Sequence, residues 1–501
     1  MTSIFSNEQQ TKMQMRILLF GLVEMCIGFT GAILADATSV FNLLVLLSGV
    51  AGVAALAFCL VNPVNIKVYD VLGMALVLAY GTGTLNSLVT FTMDNKDLLL
   101  NSSVEEYWLS RTLGMATAAA GFLHVVGRFD SNGYVFPKFN PIDLLANRAI
   151  WFVGIIAAIA VIFIATGKLG FMAGLASEEG YVGVSATTAI VLDLMTPAGA
   201  LSLYFGRKAS ERNQKVIFIT VAIMLLLIQF GLGRRIFVFS LITYVMAAIL
   251  AKRPEKIFSV RNIVILLVIV MLVQLATSAF FMLRVARYSF KASLKPPSIV
   301  EMIPEAIKVY KDRDRLYIAE QIHENLSSRT FVLEYLSTLS ERAADKDPTY
   351  GQDLMRAVVV ATPIILYWGK YKNPLFGSEE DLLNRHFGLP VWDAANTVLT
   401  ASVGDFGEVG FFVIPGIICF IFSIFLRMSY AFATPTSGML VSFFICKALL
   451  SVEDDIVAYF TSARSVFILL AITWLVFSLR IDLSKRTYKL NNELLIKNKI
   501  S

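Results

Sequence analysis

KVIFITVAIMLLLIQFGLGRRIFVFSLITYVMAAILAK (Lys215–Lys252) decides the fold. Two apolar runs, 215–232 and 235–251, are parted only by Gly231-Leu232-Gly233-Arg234. Each run approaches the roughly 20 residues that an α-helix needs to cross a hydrocarbon layer. The stretch therefore reads as a tight membrane hairpin. Its tip carries two guanidinium groups, Arg234 and Arg235. Ionisable groups at such a depth are costly and rare, so this pair asks for a reason.

Outward from the hairpin the pattern repeats. Apolar runs of spanning length lie near 15–35, 38–61, 69–92, 108–126, 147–167 and 183–205 before it. Others lie near 262–283, 406–427, 436–452 and 463–480 after it, about twelve in all. The run at 436–452 is short and contains Lys447. Charged residues make up 16% of the chain, against roughly 25% in soluble domains, and the deficit runs from end to end. That excludes a soluble protein with one anchor. Residues 1–14 are polar and lack the short apolar core and cleavage site of a signal peptide, so the first run is expected to stay as a span. The fold class is all-α and polytopic, with one large external loop that contains helices. The parts are a bundle over 1–283, the loop over 284–405, three last spans over 406–480 and a basic tail over 481–501.

Lysine and arginine in short loops set the orientation. With Lys12 and Arg16 in the cytoplasm, the inner connectors hold Lys67; Arg128, Lys138 and Arg148; Arg207, Lys208, Arg212 and Lys215; Lys252, Arg253, Lys256 and Arg261; and Arg427. The short outer connectors hold Asp36; Asp94, Asp97, Glu105 and Glu106; Glu178 and Glu179; and Glu453, Asp454 and Asp455. The alternation implies an even number of spans and two cytoplasmic termini. It also accounts for the net charge of +6 without nucleic acid. The cysteines Cys26, Cys59, Cys419 and Cys446 all fall in apolar runs and read as small core residues.

Two outer boundaries break the charge rule. One is Arg234-Arg235. The other is Arg284 and Arg287, whose spacing of three puts them on one helical face. The spans between them are consecutive, so both pairs are expected at one membrane depth. Arginine binds phosphate through a planar fork and stays charged, so four arginines at an outer boundary suit a lipid-linked pyrophosphate. The ordinary role of arginines at span ends is to reach for lipid headgroups.

Within the loop, residues 305–344 show helical periodicity, with His323 and Arg329 on or near one or two external helices. Residues 355–367 are apolar, short and broken by proline, as in a segment that lies at the interface or dips into it. Residues 368–393 read as structureless and aromatic, with Trp368, Tyr371, Arg385, His386 and Trp392. Either His386 or His323 can act as general base, and Asp393 is a third candidate. Asp405 and Glu408 stand at the return to the membrane, where they can orient arginines or act as base; their ordinary role is to charge a helix N-terminus. His124, near the inner end of the fourth span, reads as a packing or interface residue. No histidine pair, Cys/His cluster or phosphate-loop motif is present, so neither metal nor cofactor is expected.

Three features resemble the Wzy-type oligosaccharide repeat-unit polymerases of the O-antigen polymerase and ligase superfamily. They are GLGRRIFVF at Gly231–Phe239, a long external loop late in a chain of many spans, and PVWDAANTVLTASVGDFGEVG at Pro390–Gly410. The resemblance implies a membrane glycosyltransferase in the bacterial inner membrane that joins undecaprenyl-pyrophosphate-linked units into O-antigen, capsule or exopolysaccharide. Arg234, Arg235, Arg284, Arg287, Arg329 and Arg385 would bind the diphosphate. Trp368, Tyr371 and Trp392 would stack on sugars or anchor at the interface. Its pathway partners would be a chain-length regulator and a flippase. The rival readings are an O-antigen ligase and a lipid-linked sugar transporter.

Overall fold

The computed structural model describes residues 7–37, 40–61, 63–93, 104–130, 133–136, 146–166, 186–232, 234–251, 279–280, 282–283, 286, 299–312, 330–363, 366–369, 372–373, 375, 379–389, 396–432, 435–452 and 454–478. Among them the regular structure is helical, with a single isolated bridge between Lys67 and Tyr134. The first helices are α1 (Asn7–Ile33), α2 (Val40–Val61), α3 (Val68–Val77), α4 (Gly83–Met93), α5 (Glu106–Phe129) and α6 (Ala146–Ala165). Then come α7 (Ala186–Lys208), α8 (Arg212–Leu232), α9 (Arg234–Ala251), α10 (Ile299–Asp312), α11 (Thr330–Asp345) and α12 (Gln352–Ala361). The last are α13 (Glu379–Phe387), α14 (Val398–Phe406), α15 (Gly410–Phe432), α16 (Pro435–Leu450) and α17 (Ile456–Ser478).

Five described stretches are long and apolar enough to cross a membrane: Gln10–Ile33, Val40–Val61, Val68–Val89, Arg212–Gly231 and Val398–Ser429. Shorter apolar helices run over Phe152–Ala165, Ile236–Ala251, Gly438–Leu450 and Ile456–Ala471. The expected span at 262–283 lies outside the described residues except at 279–280 and 282–283. The chain is thus an apolar helical bundle of the membrane kind. Cys59, Cys419 and Cys446 are core residues, but Cys26 is exposed on α1.

Packing fixes which helix ends lie together. Gly21 and Gly28 of α1 meet Gly121 and Gly114 of α5 in antiparallel order. A Cβ on Gly28 would stand 2.4 Å from the Gly114 carbonyl oxygen, so these backbones touch. Small residues permit such close approach, which replaces the solvent-driven attraction that lipid does not supply. On the other side of the bundle, Ser202 of α7 donates to the Phe218 carbonyl of α8 at 2.8 Å, and Thr196 of α7 meets Ser240 of α9 at 2.8 Å. The register makes α8 antiparallel and α9 parallel to α7, which is the hairpin expected from the glycine-arginine turn. Lys447 of α16 pairs with Asp193 of α7 at 3.0 Å, so the lysine that interrupts the apolar run 436–452 has a partner inside the bundle.

The bundle has two chemically different ends. One gathers Lys67, Arg128, Arg207, Lys208, Arg212 and Arg427. There Arg427 and Ser423 both bond the Asp130 carboxylate, and Lys67 donates to the Asp130 carbonyl at 2.5 Å. At the other end α5, α9, α15 and α17 begin, and helices α10–α14 cover it. α11 packs on α4 and α5, α12 on α14 and α17, and α13 on α11.

Candidate functional site at the covered end

α14 (VLTASVGDF) is the element that sequence periodicity missed. Residues 398–405 are all buried, and Thr397 caps the helix by accepting from the backbone N–H groups of Leu399 and Thr400. The chain reverses at Gly407, where φ is +58°, a conformation that only glycine adopts freely. Gly410 then lies against the Ser402 carbonyl, where a Cβ would come within 1.8 Å. The apolar run Val398–Ser429 is therefore two helices folded back on each other. The return to the membrane begins at α15, after a buried hairpin. The N-terminus of α14 reaches the middle of the α3–α4 rod. There Tyr80 lies in a π-helical turn (Leu78–Thr82), and its hydroxyl meets that of Thr397 at 2.6 Å. Such turns occur often at functional positions because they re-aim side chains out of helical register.

Asp405 is fully buried at the end of α14. It accepts from Thr349 Oγ1 at 2.5 Å and from the backbone N–H groups of Asp353 and Leu354 at 2.9 and 2.8 Å. Asp405 thus charges the N-terminus of α12, whereas the sequence had offered the next span. α12 occupies the segment read as interfacial and runs beside α17. Arg356 pairs with Asp353 and lies 3.8 Å from Asp455, and Arg464 donates to the Ala361 carbonyl at 2.9 Å. Burial pushes the Asp353 carboxyl up to about 6; Arg356 opposes this, and Asp405 and Asp455 add to it. Glu408 orients an arginine, Arg111 of α5, at 2.6 Å.

The stretch 368–393, read as structureless, holds helix α13. Glu379 and Glu380 begin it, Arg385 and His386 end it, and Gly388 follows at φ +70°. These are the charge placements and the left-handed stop that a helix favours. His386 and Arg385 are exposed on its last turn. His386 Nε2 donates to the Asp347 carbonyl at 2.7 Å, so in the neutral ring Nδ1 is the acceptor nitrogen. Trp368 is 80% exposed.

Phe230 at the end of α8 packs edge-on against Phe237 of α9 and Phe280, with centroids 5.5 and 5.9 Å away. Phe280, Leu283 and Ala286 form a small core with Met302 and Ala306 of α10. The end of α8, the start of α9, the residues Phe280, Leu283 and Ala286, and α10 are therefore joined. Arg234 and Arg235 begin α9, and their side chains lie outside what is described. Arg284, Arg287, His323, Arg329, Tyr371, Trp392 and Asp393 lie outside the described residues. Sequence reasoning also passed over Tyr80 and Arg356, and it singled out Thr397 only as part of the stretch Pro390–Gly410 and gave it no role of its own. His124 proved to be more than packing, because it stands between two buried carboxylates. No known protein family, curated protein or solved structure matches the chain.

Proposed function

We propose that this chain is a membrane glycosyltransferase that polymerises repeat units carried on undecaprenyl pyrophosphate, at the outer face of a bacterial inner membrane with both termini in the cytoplasm. The observation that carries the reading is the aromatic joint of Phe230, Phe237 and Phe280. It joins the helix ends that flank the Arg234-Arg235 turn to Phe280, and Phe280, Leu283 and Ala286, close in sequence to Arg284 and Arg287, pack on Met302 and Ala306 of α10. Guanidinium groups there neutralise the departing diphosphate. The acceptor sugar hydroxyl loses its proton to a loop base, for which His386 offers Nδ1. The energy lies in the glycosyl-pyrophosphate bond, so the reaction draws on neither nucleotide nor metal. A flippase would supply the units, and a chain-length regulator would set their number.

Arg234→Ala and Arg287→Ala should each abolish long glycan chains while expression and membrane insertion stay normal. Long chains made at normal levels by both variants would remove the mechanism. Long chains accumulating on the carrier lipid in either variant would identify a ligase.

A further inference from the structure

At the basic half of the bundle, the α1–α5 seam encloses a carboxyl group with no use in glycan chemistry. Glu24 is fully buried, and among the described residues neither of its carboxylate oxygens has a hydrogen-bond partner. His124 of α5 is 2% exposed, and its Nε2 also lacks a hydrogen-bond partner among the described residues. These two unsatisfied groups face each other, with Nε2 3.6 Å from Glu24 Oε2. A shift of tenths of an ångström closes that gap to hydrogen-bond length.

The other side of the ring fixes which atom is available. Nδ1 lies 3.0 Å from Asp70 Oδ1. Asp70 also accepts from Arg128 and, at 2.8 Å, from the backbone N–H of Lys67, so it is held as a carboxylate. A carboxylate only accepts, so Nδ1 carries a proton and Nε2 is left to Glu24. The surroundings hold the geometry. A Cβ on Gly21 would meet His124 Cβ at 2.8 Å, one on Gly121 would meet Glu24 Cβ at 2.9 Å, and one on Gly73 would stand 3.1 Å from Nε2. Phe20 closes the cage edge-on, with its centroid 5.7 Å from the imidazole. The remaining titratable neighbours are Arg128, which Asp70 engages, and the buried Cys59 of α2.

We infer that Glu24 and His124 form a binding site for one proton, held between Glu24 Oε2 and His124 Nε2. With one proton the pair is neutral overall, whether that proton rests on oxygen or on nitrogen. Without it a bare carboxylate is buried, and with two the buried cluster carries an imidazolium whose nearest carboxylate, Asp70, is already paired with Arg128. Both are costly where water is absent. The site stands apart from the glycosyltransferase reading and uses none of its residues.

The chain has three histidines, so nitrogen-15 labelling of histidine in the full-length protein in lipid nanodiscs gives few signals to assign. A far-downfield proton should correlate with His124 Nε2 in the native chain. Glu24→Gln should abolish it while the Nδ1 proton toward Asp70 remains, because an amide cannot share a proton in this way. Glu24→Asp, which withdraws the carboxylate by one carbon, should move the signal upfield, and it serves as the test if the glutamine variant does not fold. Absence of such a proton in the native chain, or an unchanged signal in the variants, would overturn the assignment.

Discussion

Asp405 shows how much can rest on one side chain. Three donors converge on it, two of them backbone N–H groups that the first turn of α12 cannot satisfy by itself. Asp405→Ala should cost about 1–3 kcal/mol, the usual penalty of orphaned buried donors. Hydrogen exchange should show the loss first over residues 352–361. Asp353 gives a pH signature. Its carboxyl is raised from 3.8 to about 6 in the fold, so its contribution is fully present below the lower value and is lost as pH rises through the upper one. The α12–α17 joint should therefore loosen between those values. Asp353→Asn should flatten that part of the Tm-against-pH curve, and a curve of unchanged shape would refute the assignment.

Glycines decide the packing at the level of helices, and their surroundings separate those that matter from those that do not. Gly410→Ala would drive a methyl into the Ser402 carbonyl and open the α14–α15 hairpin. Gly416, six residues on, has open space around it, with nothing within 4 Å of where an alanine methyl would stand. Gly416→Ala should be neutral or stabilise by about 0.5–1 kcal/mol through helix propensity. Thermal unfolding in detergent checks the contrast. The same glycines explain what was legible in the sequence. Long apolar helices and the α8–α9 hairpin follow from composition and a four-residue turn. α14 was hidden because VLTASVGDF is too short to span and stands directly before the run of α15, and the division rests on the backbone angle of one residue, Gly407. α13 was hidden for another reason. Its nine residues carry every charge and stop signal of a helix, but turn-forming neighbours on both sides drown a pattern so short.

Across the whole molecule, charge sorts the two ends. Lys67, Arg128, Arg207, Lys208, Arg212 and Arg427 gather where α7 ends and α8 begins, and the loop helices cover the opposite end. In a background without the native cysteines, Asp345→Cys and Glu105→Cys should react with a membrane-impermeant maleimide in intact cells, and Ser210→Cys only after permeabilisation. The reverse result would place the arginine turn in the cytosol and remove the glycan chemistry proposed for it. The site itself was only partly legible. A motif draws attention to Arg234 and the scarcity of histidine to His386, but nothing in the sequence signals that Tyr80 and Thr397 meet, because they are 317 residues apart.

The glycine seam between α1 and α5 carries a consequence for biosynthesis. During translation α1 leaves the ribosome well before Gly114 and Gly121 exist. Until they arrive, Glu24 has no imidazole to face, and a carboxyl group in a lone helix costs roughly 3 kcal/mol of insertion free energy. Docking of α1 on α5 therefore has to wait until three further helices are made. Its final docking is an event of late assembly, although it is the first of the described helices to be synthesised.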